Sequence, residues 1–186
     1  MKPANIFVCR LGRTVDFVKV LDFGLVKRDV SSQETQLSVE GVVTGTPAFI
    51  APEVAMGSKV VDHRVDIYMF GAVAFYLLCG EPVFDEANGV LMAMAHIQKE
   101  PRPPSELSPF SVTADLDALI LDCLAKSPED RPQTIAEVRQ RLSAIEPAES
   151  WGDSEAKKWW WQHLPATRAQ SATGNTGGET YQLTVG

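Results

Sequence analysis

Apolar residues concentrate first in two short runs, residues 6–9 and 18–21, separated by a loop that holds Gly12. Their β-branched content predicts a hairpin whose second strand runs into Asp22-Phe23-Gly24. Residues 25–47 are polar, rich in Ser and Thr, and carry no periodicity. A stretch of that length inside a compact domain is usually functional or mobile. From Pro52 onward the pattern is helical. The longest apolar run, residues 67–80, spans 14 positions, short of the ~20 needed to cross a bilayer. It predicts a helix that starts near Asp62 and is buried on nearly all sides. A short helix follows at residues 90–98, and Pro101, Pro103 and Pro104 then enforce an extended connection.

Leu116, Leu119, Ile120, Cys123 and Leu124 fall at i, i+3, i+4, i+7 and i+8, an amphipathic helix with Thr113 placed to cap it. Thr134-Ile135-Ala136-Glu137 has the form of a capping box, with Ile135, Val138, Leu142 and Ile145 along one face of the helix it opens. The globular pattern stops near Pro147. All four tryptophans lie in residues 151–161, and a helix over residues 154–164 is expected there. Residues 165–186, rich in Thr, Gly and Ser, read as disordered. The result is a mainly α chain with one small β-hairpin.

Composition narrows the function classes. Hydrophobic residues at 45% and charged residues at 22% of 186 positions describe a soluble globular protein. Three dispersed cysteines, Cys9, Cys79 and Cys123, fit a reducing, cytoplasmic setting better than a disulfide framework or a zinc site. The net charge of −7 argues against nonspecific nucleic-acid binding. The charge is uneven, with six Lys/Arg against two Asp in residues 1–28, and eight against 21 acidic residues in 29–155. That basic opening suits either an anionic ligand or a solvated hairpin. His63, His96 and His163 have no metal-ligand spacing and read as surface or capping residues.

Three local signals occur in a fixed order: Lys2-Pro3-Ala4-Asn5 before the first strand, Asp22-Phe23-Gly24 after the second, and residues 45–53, Gly-Thr-Pro-Ala-Phe-Ile-Ala-Pro-Glu, after the polar loop. Asp66-Ile67-Tyr68-Met69-Phe70-Gly71 and Pro128-Glu129-Asp130-Arg131-Pro132 extend the series. Over residues 1–146 the set resembles the C-terminal lobe of the eukaryotic-like protein serine/threonine kinases, with a bacterial style to the chain. Lys2, Pro3 and Asn5 match the second half of the family pattern H-R-D-x-K-P-x-N.

The resemblance implies ATP and Mg2+ as cofactors and Ser/Thr hydroxyls of proteins as acceptors. It implies that Asn5, Asp22, Phe23 and Gly24 form the cofactor site, with Asn5 and Asp22 as metal ligands. Lys2 would neutralise the transferring phosphoryl and Thr46 would help place the acceptor hydroxyl. Phosphoryl transfer needs charge neutralisation and positioning more than covalent chemistry, and these residue types supply both. Glu53 paired with Arg131, and Asp66 capping catalytic-loop amides, would be scaffold elements. Thr35, Ser38 and Thr44 are the candidate phosphorylation sites of the polar loop.

In the family the catalytic Asp lies five residues before the Asn, immediately ahead of Met1. The Gly-rich loop, the strand Lys and its Glu partner belong to an N-terminal lobe. The chain therefore reads as a kinase C-lobe over 1–146, truncated within the catalytic loop and inactive alone. A Trp-rich helical extension over 147–164 and a disordered tail over 165–186 follow it. The other reading is a non-catalytic kinase-like interaction module that binds or regulates other kinases. Trp151 and Trp159-Trp161 could pack on the lobe, anchor at a membrane interface, or contact a partner.

Overall fold

The computed structural model describes residues 2–21, 47–147, 150–163 and 180–182. They fall into two compact units, one built from the helical stretch that ends at Glu146 and one from the hairpin together with the chain after Pro147. The fold is mainly α with a small antiparallel sheet, as the apolar pattern predicts.

In the helical unit α1 (Pro52–Ala55) precedes the long α2 (Arg64–Cys79), then come α3 (Gly89–Gln98), α4 (Ala114–Cys123) and α5 (Ile135–Ala144). The near-absence of polar residues in α2 has its counterpart in space: Ile67, Tyr68, Ala72 and Phe75 are all 1% exposed or less. The helix starts two residues after Asp62, whose Oδ1 accepts the Arg64 N–H at 2.9 Å. Hydrogen bonds from the Arg64 side chain and backbone hold the Asp62 carboxyl down at about 2. Gly80, at φ 77°, closes the other end, its N–H bonded to the Tyr76 carbonyl. A left-handed cap of this kind carries no steric penalty only for glycine.

Ile67 of α2, Leu119 and Cys123 of α4 and Val138 of α5 form one buried cluster, with Phe70 and Ile145 packed against it. The close approach of α2 to α4 depends on Gly71. A Cβ there would stand 2.8 Å from the Cys123 Cβ and 3.2 Å from the Leu124 Cγ. Gly71→Ala gains about 0.5–1 kcal/mol of helix propensity but pushes two helices apart, at about 1–3 kcal/mol. A net loss of stability is expected, visible as a lower urea midpoint; an unchanged or raised midpoint would mean the pair has slack.

Thr113 caps α4 by accepting the Leu116 N–H, and Thr134 caps α5 by accepting the Glu137 N–H at 3.1 Å. The return arm of the expected box differs: Glu137 Oε2 takes the N–H of Gln133 instead of that of Thr134. The α5 face is also narrower than its spacing suggests. Val138 is buried and Ile145 packs against the same cluster, but Ile135 and Leu142 are 60% and 44% exposed.

In the second unit β1 (Ile6–Leu11) and β2 (Thr14–Val20) pair antiparallel, with Ile6 opposite Val20 and Cys9 opposite Phe17. Both strands are longer than their apolar cores because the polar residues beside the Gly12 turn also pair. β3 (Thr180–Gln182) joins the free edge of β1, giving the order β2-β1-β3. These three residues lie within the stretch expected to be disordered. The tryptophan-bearing helix α6 (Asp153–His163) lies against β2.

Asp16 fastens that helix. One carboxylate oxygen accepts the Trp160 indole N–H at 2.6 Å and the other accepts the Trp151 indole N–H at 2.8 Å. Asp16 holds φ 55°, a left-handed conformation that Asp and Asn tolerate better than other side chains. Trp160 is 2% exposed, with the Arg10 guanidinium 5.8 Å above its ring. Asp16→Asn keeps the backbone preference but gives one indole an amide N–H in place of an acceptor. About 1–3 kcal/mol of the unit's stability should go with it, and tryptophan emission should shift to the red. Unchanged emission and stability would show that apolar packing alone seats α6.

Candidate functional site

The residues expected to hold the cofactor start at the open end of the hairpin. A single 3-10 turn, Pro3–Asn5, leads into β1 and leaves Asn5 half-buried at its end. The Asn5 carbonyl accepts the Leu21 N–H at 2.9 Å. Antiparallel pairing therefore brings the start of β1 beside the end of β2, one residue before Asp22 in the chain. Lys2 is half-buried. Asp22, Phe23, Gly24, Thr46 and the candidate phosphorylation sites Thr35, Ser38 and Thr44 lie outside the described residues.

The second part is the segment after Thr46. A 3-10 turn, Pro47–Phe49, is closed by the Ile50 N–H on the Pro47 carbonyl, and Phe49 packs edge-on against Tyr76, centroids 6.1 Å apart. The segment runs into α1, where Glu53 is only 6% exposed. Both Glu53 oxygens are taken at 2.8 Å by the terminal nitrogens of Arg131. The remaining N–H groups of the same guanidinium donate to the carbonyls of Arg64, Ala125 and Lys126. A guanidinium has five N–H donors, and here every one is used. Tyr68 lies beneath it, ring centroid 4.9 Å from Cζ.

Around this pair burial dominates the ionisation of its neighbours. Desolvation keeps the Tyr68 hydroxyl protonated far above the ordinary range, with Arg131 opposing and Glu53 adding to the effect. Lys126 is pushed down to about 8, first by desolvation, with Glu100 holding it up and Arg131 pressing it down. Its Nζ donates to the His96 carbonyl and sits 4.8 Å from the Phe84 centroid.

Asp66 is exposed in the first turn of α2. One residue is placed differently from expectation. His96 has no exposed surface at all, contrary to its reading as a surface or capping residue. It follows Met92 and Ala93 by four and three positions, so it falls on the inward stripe of α3, a signal its polarity masked. His63 is exposed and its Nε2 lies 2.8 Å from the Gln133 carbonyl. Of the tryptophans only Trp160 is buried; Trp151, Trp159 and Trp161 are 59%, 41% and 77% exposed.

The comparisons fit this arrangement. Residues 1–142 match the model of the protein kinase domain. The chain belongs to that family. It is 41% identical over 143 residues to serine/threonine-protein kinase Pkn1 of Myxococcus xanthus, covering 76% of this chain and 20% of that protein. It is 36% identical over 160 residues to serine/threonine-protein kinase pkn3 of the same organism, covering 85% and 29%. It is also 36% identical over 178 residues to serine/threonine-protein kinase PknB of Mycobacterium tuberculosis (strain H37Rv), covering 96% and 27%. The chain thus spans less than a third of the length of these kinases. Among the described residues no helix is long and apolar enough to cross a membrane.

Proposed function

We propose that the chain is the C-terminal lobe of a protein serine/threonine kinase, acting in phosphoryl transfer from ATP to Ser/Thr hydroxyls of proteins together with an N-terminal lobe. The observation that carries this is the Asn5–Leu21 backbone bond, which sets residue 5 beside the strand end leading to Asp22. An amide and a carboxylate are hard oxygen donors of the kind Mg2+ takes, so the donor set fits that ion. When bound, Mg2+ and ATP would supply the charge neutralisation and the transferable group.

The chain's own residues then do the positioning. Asn5 and Asp22 hold the metal, Phe23 and Gly24 complete the cofactor site, and Lys2 offsets negative charge on the phosphoryl oxygens. Thr46 orients the acceptor hydroxyl, and the Glu53–Arg131 fork fixes the segment that carries it. Residues 1–146 serve as the catalytic lobe, 147–164 as an extension seated on the hairpin and 165–186 as a tail. Phosphorylation at Thr35, Ser38 or Thr44 would regulate the polar loop through its added charge. A cytoplasmic setting suits the free thiols of Cys9, Cys79 and Cys123.

Labelled ATP and a protein acceptor test this. The 186 residues alone should give the no-protein background, and the full-length kinase should label Ser or Thr. Label transferred by the isolated chain would overturn its dependence on a second lobe. An inert full-length protein would overturn the activity.

A further inference from the structure

The His96 imidazole is the one polar group in the helical core that the phosphoryl-transfer reading leaves without a task. Its Nδ1 lies 2.8 Å from the Tyr68 hydroxyl, and the Tyr68 and Phe84 rings enclose it at 5.8 and 5.0 Å. Its Nε2 is buried and has no hydrogen-bond partner among the described residues. The backbone of Ala48 is the one neighbour that acts on the ring as a hydrogen-bond acceptor. The Pro47–Phe49 turn packs against α3, so the ring belongs to the surface on which that turn rests.

The tautomer follows from Tyr68. Burial keeps that hydroxyl protonated, so it donates to Nδ1 and the ring carries its own proton on Nε2. The opposite arrangement would leave both the tyrosine O–H and Nε2 unpaired. The ring is also held neutral, its pKa pushed down to about 4 by burial first and then by Lys126. The charged groups facing this site are Lys126, Glu100, and the Glu53–Arg131 pair reached through Tyr68. A buried donor needs an acceptor, and the Ala48 backbone is the one within reach of this ring.

We propose that His96 is a positioning residue for the acceptor protein, its fixed Nε2–H holding the backbone of the Pro47–Phe49 turn in place. This rests on the reading that the segment next to Thr46 places the acceptor hydroxyl. His96→Asn keeps an acceptor for Tyr68 but loses the Nε2 donor, whereas His96→Gln keeps a donor near the Nε2 position.

Three measurements test it. In the full chain, 15N NMR of the ring should show the neutral Nε2–H tautomer from pH 5.5 to 8, and a charged or Nδ1–H ring would overturn the proposal. Hydrogen exchange at the Ala48, Phe49 and Ile50 amides should quicken about tenfold in His96→Asn and little in His96→Gln, with α2 and α4 unchanged. Equal effects in the two variants, or effects spread over α2 and α4, would make His96 merely structural. In the full-length kinase His96→Asn should raise the KM for the acceptor protein several-fold and leave that for ATP alone. An unmoved acceptor KM beside altered exchange would overturn the substrate role. An inactive wild-type kinase would instead remove the functional reading on which that role rests.

Discussion

Arg131→Ala should destabilise the helical unit by on the order of 3–5 kcal/mol, the cost of stranding one member of a buried ion pair. Glu53, 6% exposed, would be left with no cation to meet it. The carbonyls of Arg64, Ala125 and Lys126 would each lose a donor at the same time. Against an ordinary domain margin of ~5–15 kcal/mol the loss is large. For a unit of about 100 residues it should lower the melting temperature by more than about 10 °C. Glu53→Gln, which retains an acceptor for one arm of the fork, should cost less. Exchanging the two charges should rescue little, because a carboxylate at position 131 would face three carbonyl oxygens. Melting of Arg131→Ala within a degree of wild type would show the pair to be worth nothing.

In the full-length kinase, Asp22→Ala should cut phosphoryl transfer on the order of 10^3-fold. A bound metal ion contributes several kcal/mol of charge stabilisation, and each ~1.4 kcal/mol is tenfold in rate. Asp22→Asn should fall nearly as far, since a neutral amide replaces the one carboxylate of the Asn5–Asp22 pair. The hairpin should survive both changes, because its ladder runs from Ile6 to Val20 and ends before Asp22. Rates within tenfold of wild type, with the fold intact by circular dichroism, would remove Asp22 from the metal site.

Much of the architecture is legible in the residues because local patterns agree with the fold. The 14-residue apolar run could be nothing but a central helix, and Thr113 and Thr134 cap their helices where the spacing places them. What resisted reading depends on partners remote in sequence. Nothing local distinguishes Asp66, which is exposed, from Glu53, which is buried 78 positions from its Arg. His96 looked like a surface residue because its burial depends on Tyr68, 28 positions away. The Asp16–Trp160 bond crosses 144 positions and has no signature in either segment. Of the candidate site, the motif order supplied the family; the structure adds the backbone bond at Asn5 and the Glu53–Arg131 fork, while Asp22 and Thr46 lie outside the described residues.

The 78-residue separation of Glu53 from Arg131 also matters while the chain is being made. At synthesis rates of roughly 5–20 residues per second, Glu53 leaves the ribosome about 4–16 s before Arg131 does. During that interval α1 has no fork to hold it, whereas α2 behind it can already coil around its own apolar residues. The nascent polypeptide therefore passes through a stage in which α1 and the preceding turn are open to proteases and chaperones. Anchoring waits for residue 131 to clear the exit tunnel, so this segment is fixed only near the end of synthesis of the helical unit.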